Sequence, residues 1–251
     1  MRSVRFCDRD YHMFTVALIG PDGAGKTTMC RRLERTLPLA AKYLYMGVSR
    51  DSSNHMLPTT RLIRAIKRAL GAPPDTAGPP DPARVKPRPK GLFRRAAAAM
   101  RAALRLVNQL SEEWFRQALV WYYRRRGYVV LFDRHFFVDY YDYDVVDRGT
   151  PRPLSRRIHG FMLDHVYPKP DLVIYLDAPA EVLFARKGEG TVEALERRRG
   201  DYARLCDVVE QFVTVDATGT KDEVEREVTR LICEFYQNRI GKLVQLQDVT
   251  L

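Results

Sequence analysis

Residues Gly20–Thr28 read Gly-Pro-Asp-Gly-Ala-Gly-Lys-Thr-Thr and fit the pattern G-x-x-x-x-G-K-[ST]. Such a segment works only where a strand runs into it and a helix leaves it. The glycines let successive backbone N–H groups converge, and the helix adds the positive end of its dipole. Both neighbours are present here: Phe14–Gly20 is an apolar strand and Lys26–Leu37 has helical spacing. The ligand such a turn takes is a nucleoside triphosphate. Gly20, Gly23 and Gly25 keep Cβ atoms away from the phosphates, Lys26 reaches the β- and γ-phosphates, and Thr27 offers its hydroxyl to Mg²⁺. Thr28 completes the same phosphate-binding stretch, so ATP and Mg²⁺ are the expected cofactors.

The rest of the chain repeats the β-then-α alternation. Lys42–Tyr45 is a weaker second strand. Tyr128–Asp133 and Leu172–Asp177 are uniform apolar runs that each end on an aspartate, the pattern of central parallel strands covered on both faces. Phe212–Asp216 gives a fifth strand, followed by a closing helix near Lys221–Gln237. The expected fold class is α/β: a five-stranded parallel sheet with helices on both faces, in a single domain over 1–251.

A basic insertion separates the second and third strands. Of the formal net charge of +11, residues 61–126 hold 16 Lys/Arg against 4 Asp/Glu, and the remainder is nearly balanced. Residues 73–89 contain seven prolines, so a flexible stretch is expected over 71–92. From there Met100, Leu104, Val107, Leu110, Trp114, Ala118 and Trp121 recur at steps of three and four, predicting a long amphipathic helix over 93–126 that stops at Gly127. Their spacing suggests core packing. The excess charge could instead face nucleic acid, an anionic membrane surface or solvent. The apolar run Met13–Ile19 is too short to span a bilayer, and Met1–Tyr11 is polar, so a soluble cytoplasmic protein is expected. Four scattered cysteines lack metal-ligand spacing and are expected to be reduced, mostly buried thiols.

The wording GPDGAGKTT resembles the thymidylate kinase family. Asp133-Arg134-His135 is similar to that family's Asp-Arg-aromatic motif, and Pro170-Asp171 through Asp177-Ala-Pro179 to its PDL-x-x-x-LD strand. The basic segment from Arg186 resembles its lid. The resemblance covers roughly 13–46 and 127–238 and implies a P-loop kinase with a lid over 186–202. It implies that Asp22 contacts the acceptor and that Asp133 sits near the Mg²⁺. Arg134 would neutralise acceptor or transferring phosphate, while Arg186 and one of Arg197, Arg198 and Arg199 close over ATP. His135 would fill the aromatic position.

The resemblance breaks at the acceptor side. The family's glycine-rich, arginine-bearing turn is here Met46-Gly-Val-Ser-Arg50, leaving Arg50 as the candidate, and its base-holding segment is replaced by Phe136–Asp144. Asp139, Asp142 and Asp144 either line an acceptor site or lie on an exposed loop. The expected acceptor is a nucleoside monophosphate such as dTMP, with a sugar or glycolipid precursor as the alternative. A reading of another class is a nucleotide-dependent binding module for nucleic acid or an anionic surface. The apolar stripe packs on its own domain or forms a homodimer face.

Overall fold

A computed structural model of the chain describes residues 13–47, 55–69, 71, 91–146, 152–188 and 190–249. Most of the proline-rich stretch over 71–92 and Arg50 lie outside the described residues. The strands are β1 (Thr15–Ile19), β2 (Ala41–Tyr45), β3 (Val129–Asp133), β4 (Leu172–Asp177) and β5 (Phe212–Asp216). They form one sheet in the order β2-β3-β1-β4-β5, with β1 parallel to β3 and β4, and β4 parallel to β5. The expected α/β class is therefore what the chain adopts. The helices are α1 (Lys26–Thr36), α2 (Pro58–Ala69), α3 (Leu92–Arg125), α4 (Phe136–Tyr140), α5 (Leu154–Phe161), α6 (Ala180–Lys187), α7 (Val192–Ala203) and α8 (Lys221–Val249). The last runs well past Gln237, where the sequence pattern weakens. Among the described residues, no helix is long and apolar enough to cross a membrane.

The described residues fall into two compact units. The first takes those within Met1–Leu44, Val120–Arg134 and Lys169–Leu251, the second those within Tyr45–Leu119 and His135–Pro168. In the first unit, β1 is buried on both faces along its whole length, and so is β3, which is why their sequences are uniformly apolar rather than alternating. α1 covers the sheet with Met29, Cys30 and Leu33. α8 buries Val224, Val228 and Ile232 at four-residue steps, and its Phe235 ring lies 4.9 Å from that of Phe14. Each fully buried large apolar side chain of this kind stabilises the fold by about 1.5–3 kcal/mol.

The second unit is built differently. Two π-helical turns, Tyr141–Val145 and Met162–Val166, extend α4 and α5. A Cβ on Gly160 would press against the carbonyl oxygen of Asp144, so α5 needs glycine there. The stripe on α3 corrects the sequence reading: Met100, Leu104, Val107, Trp114 and Trp121 are exposed, whereas Glu112, Glu113, Arg116 and Gln117 are buried. Glu112, Glu113 and Arg116 tolerate burial because each has a partner, although Gln117 Nε2 is buried without a hydrogen bond. Glu112 accepts from the Leu57 N–H, Arg116 donates to the Gly47 carbonyl at 2.8 Å, and Glu113 meets His159 at 3.0 Å. Periodicity identifies residues that share a face without saying which face is covered. The cysteines need a smaller correction. Cys30 is buried, but Cys233 is half-buried and Cys206 exposed; Cys7 lies outside the described residues.

Candidate active site

The site lies within the first unit, on the loop between β1 and α1. Gly20, Gly23 and Gly25 have φ of 144°, 92° and 88°, where side chains are strained. A Cβ on Gly23 would stand 2.5 Å from the Leu183 carbonyl oxygen of α6, so the loop backbone seats on that helix. Gly25 is the N-cap of α1 and brings no side-chain acceptor to the first N–H groups, an end suited to an anion. Lys26 opens the helix, is 5% exposed, and donates from Nζ to the Pro21 carbonyl at 2.6 Å. Its ammonium is thereby curled over the loop. Thr27 and Thr28 follow on the exposed side of the same turn.

Asp133 ends β3 beside this turn. The Thr27 hydroxyl donates to its Oδ2 at 2.6 Å, and the Tyr43 hydroxyl from β2 donates to the same oxygen at 3.2 Å. Burial, then the Asp133 charge, pushes the Tyr43 hydroxyl well above its ordinary pKa, so it stays a donor. Oδ1 of Asp133 is buried with no hydrogen-bond partner. An open carboxylate oxygen next to a threonine hydroxyl is a donor set that fits Mg²⁺, which keeps most of its shell as water and phosphate. Among the described residues, no group of three or more His, Cys, Asp and Glu side chains forms a metal cage, and a nucleotide-borne Mg²⁺ does not require one.

Arg134 follows with φ 64°, a left-handed backbone unusual for a non-glycine residue, costing about 1–3 kcal/mol. That geometry carries its guanidinium onto Asp22 Oδ1. Asp22 Oδ2 accepts from Arg198 at 2.8 Å, and Lys187 Nζ lies 3.6 Å from Oδ1. Burial alone would raise the Asp22 pKa, but Arg134, Lys26, Lys187 and Arg198 hold it at about 2. Asp22 thus gathers the cations around the phosphate loop, a role that its position in the motif does not reveal.

The arginines of the segment 186–202 separate by partner. Arg199 is locked on Asp177 by two 2.8 Å bonds and on Glu196 at 2.7 Å, and Tyr175 donates to the same Asp177. Asp177 and Arg199 thus hold each other in place. Arg197 is exposed on α7. Arg186 donates to the carbonyls of Ala217 at 2.8 Å and Thr218 at 3.2 Å, while its neighbour Lys187 lies beside Asp22. In the second unit, His135 caps α4: its Nδ1 accepts from the Phe137 N–H at 3.2 Å, and burial holds its pKa near 3. Asp139 belongs to α4 by its backbone; its side chain and that of Asp142 lie outside the described ones. Asp144 is not on an exposed loop: it is buried against His159 and Arg156.

Comparison with known proteins agrees with this geometry. The family described as "AAA domain" matches residues 11–132. A thymidylate kinase of Deinococcus radiodurans is 31% identical over 228 residues, covering 87% of this chain and 96% of the relative. A probable thymidylate kinase of Archaeoglobus fulgidus is 31% identical over 43% of this chain, and a thymidylate kinase of Thermosipho africanus 25% identical over 52%. The aligned regions span 55% and 65% of the lengths of these last two relatives.

Proposed function

The chain belongs to the thymidylate kinase family, and from that premise we propose that it is an ATP- and Mg²⁺-dependent phosphotransferase for a small acceptor, a nucleoside monophosphate such as dTMP. The observation that carries this reading is the Asp133 carboxylate, with one oxygen on Thr27 at 2.6 Å and the other buried and open, in the turn that also holds Lys26. Thr27 and Asp133 would hold the Mg²⁺, which supplies neutralisation of phosphate charge when bound. Lys26 exchanges the Pro21 carbonyl for phosphate oxygens. Arg134 and Arg198, gathered at Asp22 by its carboxylate, stand ready for the charge on the transferring group. In phosphoryl transfer such positioning and neutralisation do most of the work.

Labelled ATP incubated with dTMP, other nucleoside monophosphates and phosphorylated sugars tests the acceptor. Transfer to dTMP at roughly 1–100 s⁻¹ is the expected outcome. Transfer only to a sugar would replace dTMP by the alternative acceptor, and no transfer to any of them would remove the kinase reading. Arg134 gives a sharper test because it combines charge with backbone strain. Both Arg134→Ala and Arg134→Gly are expected to slow single-turnover transfer by about 10³-fold or more at little cost to ATP affinity. The glycine variant should be the more stable of the two by about 1 kcal/mol, since it relieves the left-handed backbone. Denaturant midpoints that coincide would contradict the strain at φ 64°, and a change confined to ATP affinity would move Arg134 to the donor.

A further inference from the structure

The second donor on Asp133 comes from a strand that the phosphate-loop motif does not include. Tyr43 lies in β2, next to β3, and is 8% exposed, with its hydroxyl 3.2 Å from Asp133 Oδ2. α1, the helix that carries Thr27, borders it on two sides. The Tyr43 backbone N–H donates to Glu34 Oε1 at 3.2 Å, and the Arg31 guanidinium lies 5.8 Å from the ring centroid. The phenol therefore reaches Asp133 from a position fixed by backbone pairing and by the same helix that supplies the threonine.

The consequence lies in how a carboxylate divides its two oxygens. A single donor would leave Asp133 able to rotate about its side-chain bonds and to present either oxygen. Two donors converging on Oδ2, Thr27 at 2.6 Å and Tyr43 at 3.2 Å, fix the plane of the group and leave Oδ1 as the oxygen without a hydrogen bond. We infer that Tyr43 is a positioning residue, which holds Asp133 Oδ1 toward the cation that accompanies the nucleotide. This rests on the assignment of Thr27 and Asp133 to Mg²⁺. In this role Tyr43 acts through the carboxylate, as hydrogen-bond partners of metal ligands generally do.

The test uses the full chain and the variant Tyr43→Phe, which keeps the ring and removes one oxygen. Equilibrium ATP binding is measured with excess Mg²⁺ and with EDTA, and the ratio of the two affinities is the gain due to the metal. Thermal unfolding is recorded in parallel. In the variant, the metal-dependent gain should fall roughly tenfold, the affinity in EDTA should stay as in the parent, and transfer should need more Mg²⁺ to saturate. A gain equal to the parent's, with or without a lower unfolding temperature, would make Tyr43 a packing residue and overturn the inference. Equal weakening in Mg²⁺ and in EDTA would overturn it too, by placing the phenol in the nucleotide pocket. If the parent itself binds ATP no better with Mg²⁺ than with EDTA, the Thr27–Asp133 assignment fails first and takes the inference with it.

Discussion

Lys26→Ala should lower turnover by about three orders of magnitude or more under saturating ATP, with the fold retained. The ammonium is rooted in the first turn of α1 and folded back over the loop, where it donates to the Pro21 carbonyl at 2.6 Å. A backbone carbonyl is a holding partner that phosphate oxygens outcompete through charge. The arginines on Asp22 do not replace it, because Arg134 leaves from the end of β3 and Arg198 from α7, reaching the loop from other directions. Truncation also leaves the Pro21 carbonyl without this donor, at a cost of about 1–3 kcal/mol. Lys26→Met, which keeps most of the aliphatic stem, separates that stability effect from the catalytic one. Turnover in either variant within tenfold of the parent would show that the loop does not hold the reacting phosphates. Steady-state kinetics alongside calorimetric unfolding distinguish a chemical defect from a folding one.

What the sequence revealed follows from where its constraints are local. The phosphate loop was legible because glycines at positive φ, a lysine and a threonine must stand at fixed spacing whatever surrounds them. β1, β3 and β4 were legible because strands buried on both faces admit little but apolar residues. The partners of the charged groups were not legible. Nothing local distinguishes Arg198, which reaches Asp22 across 176 positions, from Arg199, which is spent on Asp177. The adjacent pair Arg186 and Lys187 divides in the same way, one side chain on the carbonyls after β5 and the other beside the phosphate loop. Tyr43 was hidden as well, since a tyrosine in a short strand reads as core until the neighbouring strand brings Asp133 alongside. On α3 the spacing was right, but packing of the stripe on its own domain, one of its two readings, was not. A stripe containing two tryptophans looked like the inner face, while charged residues with long-range partners occupy it instead.

Those long-range partners make His159 the position where a substitution should cost most stability. Its ring lies between two buried carboxylates: Nδ1 is 2.6 Å from Asp144 Oδ2, and Nε2 is 3.0 Å from Glu113 Oε1. Burial alone would lower its pKa, but the hydrogen bonds and charges of Asp144 and Glu113 outweigh that and raise it to about 9. The imidazolium is thus the cation that lets α3 and the Tyr141–Val145 turn bury acids in one unit. Removing it leaves those carboxylates facing each other with less compensation, and His159→Gln should lose about 3–5 kcal/mol of unfolding free energy. Arg156, 2.9 Å from Asp144 Oδ1, offsets part of the charge at Asp144. The pH dependence has a definite sign. Because the folded pKa lies above the ordinary 6.5, the contribution is complete below about pH 6.5 and is lost as pH rises through 9. Urea unfolding of the parent and the variant across pH 6 to 10 should therefore show curves far apart at the acid end and converging at the alkaline end. A constant separation over that range would mean that the ring is neutral throughout and that its role is to fill space between two hydrogen-bond acceptors.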